Sequence, residues 1–157
     1  MKVKGILIIV ICATVWSCGV NKHLDSSNLI SDIEAYISKV DSDNSLEEST
    51  VEGALTDTEG FEDIGTFKSH RRFNPTTKTL YRIENIENIE NTGDTRAERY
   101  YFRDNSLVAV RVNSSPTNNK NIYLNEGKII SSSNIDLEEA ELLIVKGERF
   151  KNEYKSK

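Results

Sequence analysis

The sequence predicts an α+β domain: an N-terminal helix, an antiparallel sheet of about five strands built from hairpins, and a C-terminal helix. Three observations predict it. Apolar residues recur at helical spacing from Leu29 to Val40 and again from Leu137 to Tyr154. Between these stretches lie short apolar runs separated by turn residues. Helical patterns occupy the ends and strand patterns the middle, the segregation expected of α+β folds.

In the first helix, Leu29, Ile33, Tyr36, Ile37 and Val40 form one apolar stripe. Ser26, Ser27 or Asn28 is expected to cap it, and Asp32, Glu34, Ser38 and Lys39 to face water. Residues 41–63 follow. They hold nine acidic residues and no lysine or arginine, lack periodicity, and read as an acidic loop.

Strand character begins near Gly65. TFKSHRRF leads into the turn signal Asn74-Pro75-Thr76-Thr77, and TLYRI continues as a second strand. Ile83 to Asn91 repeats Ile-Glu-Asn three times. A period of three suits neither a strand nor a helix, and the unit is too short for a solenoid. It reads as a strand whose later part runs into a loop.

AERYYFRDNSLVAVRV is the clearest hairpin, because Asp104 and Asn105 tolerate the left-handed backbone of a tight turn. With those two as the loop, Phe102 is expected opposite Leu107, Tyr101 opposite Val108 and Tyr100 opposite Ala109. Both faces are then apolar, which suits an inner hairpin covered on both sides. NIYLNEGKIIS is a second hairpin with Asn125-Glu126-Gly127 at its bend. Asn134 or Asp136 is expected to cap the last helix, and Gly147 to weaken or break it. A short strand at ELLIVK is the alternative.

The N-terminus has a different logic. Lys2 and Lys4 precede an apolar run from Ile6 to Trp16, which is too short for a membrane span of about 20 residues. A basic start, a short apolar core and small residues at the end make a secretory leader. Val15-Trp16-Ser17-Cys18 resembles the lipobox of bacterial lipoproteins; Val15, Ser17 and Cys18 fit, and Trp16 stands where a smaller residue is usual. The resemblance implies cleavage after residue 17 and lipid attachment at Cys18. The expected organisation is a signal peptide over 1–17, a tether over 18–27 and one domain over 28–157. The chain has two cysteines, Cys12 and Cys18, so the cleaved and acylated body keeps no free thiol and no thiolate metal site.

Composition sets the partners. Without the leader, 18 basic residues oppose 25 acidic ones, a net charge of −7. That balance disfavours nucleic acid, whose phosphates need a basic face. The membrane is expected as a partner through lipid alone. The segment Lys68–Lys128 is more basic, with eleven lysines and arginines against seven acids. The chain thus reads as an acidic solvated loop followed by a more basic sheet.

Candidates for chemistry are few. Ser69 and His70 are adjacent, so a strand points them to opposite faces and they cannot act as nucleophile and base. His23 lies in the expected tether. Asp41, Asp43, Ser45 and Glu52 follow part of a calcium-loop spacing, but Leu46 stands where the sharp turn wants glycine. They are weak metal candidates, and no metal or other cofactor is expected. Phosphate-loop, zinc and nucleophile-elbow motifs are absent from the sequence. Asp57, Glu59, Glu62, Asp63 and Tyr101 are candidates for meeting a partner.

VEGALTDTEGFEDIGTFKS, TLYRIENIEN, AERYYFRDNSLVAVRV and NIYLNEGKIIS together resemble small uncharacterised bacterial envelope lipoproteins with a hairpin-rich body. The resemblance implies an exported domain and carries over no catalytic residues. The expected function is a lipid-anchored, non-enzymatic binding module, facing the periplasm from the outer membrane, with a protein or glycan partner. An inhibitor acting through the acidic loop is the alternative. A hydrolase or transferase using Glu52, Glu59 or Asp63 is a third reading.

Overall fold

The computed structural model describes residues 22–57, 59–114 and 119–156, with side chains from Ser26. The leader, with Cys12 and Cys18, lies outside the described residues, as does His23's side chain. The chain runs α1 (Lys22–Ser42), β1 (Glu47–Thr56), β2 (Asp63–Phe73), β3 (Leu80–Ile89), β4 (Asp94–Arg103), β5 (Ser106–Ser114), β6 (Lys120–Asn125), β7 (Lys128–Ser133) and α2 (Leu137–Lys155). The seven strands form one antiparallel sheet in sequential order, a meander with only nearest-neighbour connections.

The helices cover opposite faces of this sheet. Ile33, Ile37 and Val40 of α1 pack on Tyr101, Val108 and Ala109. Ala140 and Leu143 of α2 pack on the other face, against Tyr100, Phe102, Leu107, Val110, Val112 and Ile122 among others. Each such large apolar side chain contributes roughly 1.5–3 kcal/mol on burial. The β4–β5 hairpin supplies both cores, which explains why its two faces are apolar.

Its turn forms as expected, with Asp104 and Asn105 at φ 50° and 65°. The register departs from expectation by one residue. Phe102 opposes Leu107, but Tyr101 opposes Ala109 and Tyr100 opposes Val110. Val108 is the extra residue of a bulge. The bulge lets Val108 and Ala109 both pack under α1, while Leu107 and Val110 serve the opposite core.

Several expectations need correction. Seven strands form where about five are expected. Residues 41–63 are not a continuous loop, because residues 47–56 make β1. Two of its acids have partners on β2 and β3: Glu52 with Lys68 at 3.2 Å, and Glu48 with His70 at 3.3 Å and Arg82 at 3.5 Å. Helix α1 starts at Lys22, inside the expected tether, so Ser26, Ser27 and Asn28 lie within it. No proline or glycine interrupts residues 22–42. Asp32 and Glu34 do not simply face water; they reach Arg103 at 2.6 Å and Arg111 at 2.5 Å.

Helix α2 runs through Gly147 without a break. A Cβ there would sit 2.6 Å from Cδ1 of Tyr100, so glycine lets the helix approach the ring closely. Asp136 caps the start, its Oδ1 accepting from the Glu139 N–H at 2.8 Å. The Ile-Glu-Asn repeat stays in β3 to Ile89 and then turns, as expected. On a two-residue strand period it sends Ile83 to one core and Ile86 to the opposite face. No described helix is long and apolar enough to cross a membrane.

Candidate functional site

Strand β2 carries Lys68-Ser69-His70-Arg71-Arg72, and alternation divides it. Lys68, His70 and Arg72 share the α1 face, and each has partners. Lys68 pairs with Glu52, and His70 Nδ1 lies 3.0 Å from the Thr50 hydroxyl and 3.3 Å from Glu48. Arg72 donates to the carbonyls of Val40, Asp41 and Asp43 at 3.2, 2.8 and 3.1 Å, capping the electronegative end of α1. Ser69 and Arg71 point to the other face, as the alternation predicts for Ser69 against His70.

There they line a cleft of about 520 Å³ between β1–β3 and the C-terminal half of α2. Val51, Leu55, Phe67 and Phe150 form its apolar walls. Ser69, Arg71, Asn85 and Glu87 come from the sheet, and Lys146, Arg149 and Glu153 from α2. Ser69 and Asn85 are register partners across β2 and β3, and Arg71 pairs with Ile83.

The charges differ sharply in how they are met. Lys146 Nζ donates to Glu87 at 2.8 Å and lies 2.7 Å from Glu98. Glu98, 2% exposed, also accepts from Arg96 at 2.8 Å and from the Tyr100 hydroxyl at 2.6 Å. Burial and this neighbouring carboxylate push the Tyr100 phenol well above its ordinary value. Arg149 lies 3.6 Å from Glu153. Arg71 is 9% exposed, and its Nε is shut from solvent with no hydrogen-bond partner. Among the described residues no carboxylate pairs with it. Burial raises the pKa of nearby Tyr154, and the Arg71 charge opposes that rise.

The residues singled out from sequence are scattered. Asp41 accepts from Arg82 at 2.8 Å and from Tyr101 at 3.1 Å. Asp43 accepts from the Ser45 N–H at 2.9 Å and hydroxyl at 2.6 Å, which holds its carboxyl below the usual range. Glu52 sits on β1 facing Lys68. The four calcium-spacing residues therefore do not converge. Among the described residues, no group of three or more His, Cys, Asp or Glu is placed to hold a metal.

Asp57 orders the β1–β2 turn, its Oδ1 accepting from the Phe61 N–H at 2.9 Å. That bond holds its carboxyl below the usual range. Glu59, Glu62 and Asp63 are exposed around it. Tyr101 is 0% exposed beneath α1 and offers no surface to a partner. In sequence Arg71 stands in a basic run, Lys68 to Arg72, which masks that it faces inward. Phe67, Ser69, Arg71 and Phe73 share one parity, and two flanking phenylalanines were the signal that this arginine faces inward.

No family model matches the chain, and no curated protein or solved structure is significantly similar to it.

Proposed function

We propose that this protein is a lipid-anchored cell-envelope module that binds a ligand or partner without chemistry, and that the cleft under α2 is its binding site. One observation carries the binding reading: Arg71 is buried with no carboxylate among the described residues. Its Nε is shut from solvent without a partner, which costs folding energy, and a group bound at the guanidinium would offset that cost. Lys146 is tied to Glu87 and Glu98, and Ser69 lies on the opposite face from His70, which disfavours nucleophilic catalysis at this cleft.

The anchor rests on the leader and on Cys18 with its lipobox-like surroundings. Lipid there would hold the domain at the bacterial envelope, facing the periplasm from the outer membrane, and concentrate it in two dimensions. Mass spectrometry of the wild-type chain and of Cys18→Ala tests this; a wild-type protein without acyl chains would remove the anchor. Crosslinking in intact membranes tests binding. Adducts should map to residues bordering the cleft, and adducts confined elsewhere would refute the cleft's role.

A second reading is favoured by a separate observation. Phe61 is 85% exposed at the tip of the β1–β2 hairpin, flanked by Glu59, Glu62 and Asp63. An inhibitor of an envelope enzyme would present such a tip. Replacing Phe61, Glu59 and Glu62 by alanine spares Asp57, which holds the turn. A co-purifying enzyme that stays bound to this variant rules the inhibitor out.

A further inference from the structure

We infer that the cleft takes a small amphipathic monoanion, a carboxylate with an apolar body, whose head pairs with Arg71. The inference rests on the binding reading above and names the ligand class for that site.

The protein's own arginines set the pattern. Arg82 and Arg111 also have a buried Nε without a partner. Each nevertheless commits its Nη atoms to a carboxylate: Arg82 to Asp41 at 2.8 Å and Arg111 to Glu34 at 2.7 Å. Arg71 is buried like them, and among the described residues it has no such carboxylate. We assign the carboxylate's place beside Arg71 to a ligand. A guanidinium fork suits a planar carboxylate, which it holds through two parallel bonds. Ser69, two residues away on the same face, offers a hydroxyl beside that head.

Charge sets the valence. Among the lining residues Arg71, Lys146 and Arg149 oppose Glu87 and Glu153, so one positive charge remains in the cleft, and Glu98 behind Lys146 is also met by Arg96. A dianion would meet the carboxylates of Glu87 and Glu153 with only Arg71 to offset them. The walls set the body. Val51, Leu55, Phe67 and Phe150 give the cleft an apolar lining, and about 520 Å³ lies within the range of small-molecule sites.

The test is calorimetric titration of the full chain in lipid nanodiscs, with empty nanodiscs as the blank. The probes are 4-phenylbutyrate and its neutral amide, which share one apolar body. The acid should bind saturably, with a Kd of about 1 mM or tighter. The amide should bind at least about tenfold more weakly, and Arg71→Met should weaken the acid by a similar factor while leaving the amide unchanged. Val51→Trp, which fills the cleft from the edge strand and keeps the charge, should abolish both.

Equal binding of acid and amide, or acid binding that ignores Arg71→Met, overturns the anionic class while leaving a ligand-binding cleft. Acid binding that survives Val51→Trp overturns the location. A wild-type chain that binds neither probe overturns the inference outright, and the membrane crosslinking then decides the wider binding reading by itself.

Discussion

Gly147 shows how one residue sets the distance between a helix and the sheet. Its missing Cβ leaves room for the buried Tyr100 ring, which Phe150 meets edge-on at 5.6 Å one turn later. Gly147→Ala gains about 1 kcal/mol of helix propensity but overpacks the ring, at a cost of about 1–3 kcal/mol. Chemical denaturation should show a net loss of stability; a more stable alanine variant would mean that α2 is free to lift. The sequence alone marks Gly147 as a helix breaker, because propensity is local and the packing that rewards the glycine comes from a strand over forty residues earlier. Arg71 has the same lesson. Its parity with Phe67 and Phe73 was legible, but that no carboxylate among the described residues pairs with it depends on where each of them ends up.

Among the elements, the helices and the central hairpins were legible because their apolar periodicity is strong. Strand β1 was not. It is an edge strand whose inward apolar residues include Val51 and Leu55, and its acids outnumber them. What pairs it is the basic strand β2, a non-local match that no window of sequence contains. Helix α1 was legible from Leu29 to Val40, but it begins earlier, at Lys22, and is less solvated than its sequence suggests. Glu34 accepts from Arg111 at 2.7 Å and from the Tyr123 hydroxyl at 2.5 Å, bolting α1 to β5 and β6. Burial alone would raise the Glu34 pKa, yet these two partners outweigh it and hold the carboxyl below its ordinary value of 4.5. A depressed carboxylate contributes stability above its unfolded pKa and loses it as pH falls through the folded value. Glu34→Gln should therefore cost about 1 kcal/mol at neutral pH, the upper range for a solvent-screened pair. The gap from wild type should close below about pH 4.5 in acid unfolding curves. A constant gap across that window would mean the ionised carboxylate is not what docks α1.

At the scale of the whole molecule, one sheet is covered by a helix on each face, and tyrosines sit at both seams, two of them bonding across to or from α1. The Tyr36 hydroxyl donates to the Phe102 carbonyl, the Tyr100 hydroxyl to Glu98 and the Tyr101 hydroxyl to Asp41. Burial, reinforced by the Asp41 charge, pushes the Tyr101 pKa up to about 12, and burial raises Tyr36 and Tyr100 as well. A raised folded pKa means stability that is complete below the unfolded value near 10 and lost as pH climbs through the folded one. On alkaline titration, the phenolate absorbance of these three should appear together with loss of circular dichroism. Smooth ionisation with the fold intact would show that the phenols are solvated.

The central claim is that Arg71 is kept for a ligand and not for the fold. Urea unfolding of Arg71→Met without added ligand tests it most directly. A guanidinium whose Nε is desolvated and unbonded is a burden on the free protein, so the methionine variant should unfold at the same urea concentration as wild type or a higher one. A loss of about 3 kcal/mol or more, the cost of breaking a buried ion pair, would show that the chain pairs Arg71 itself and would contradict the account.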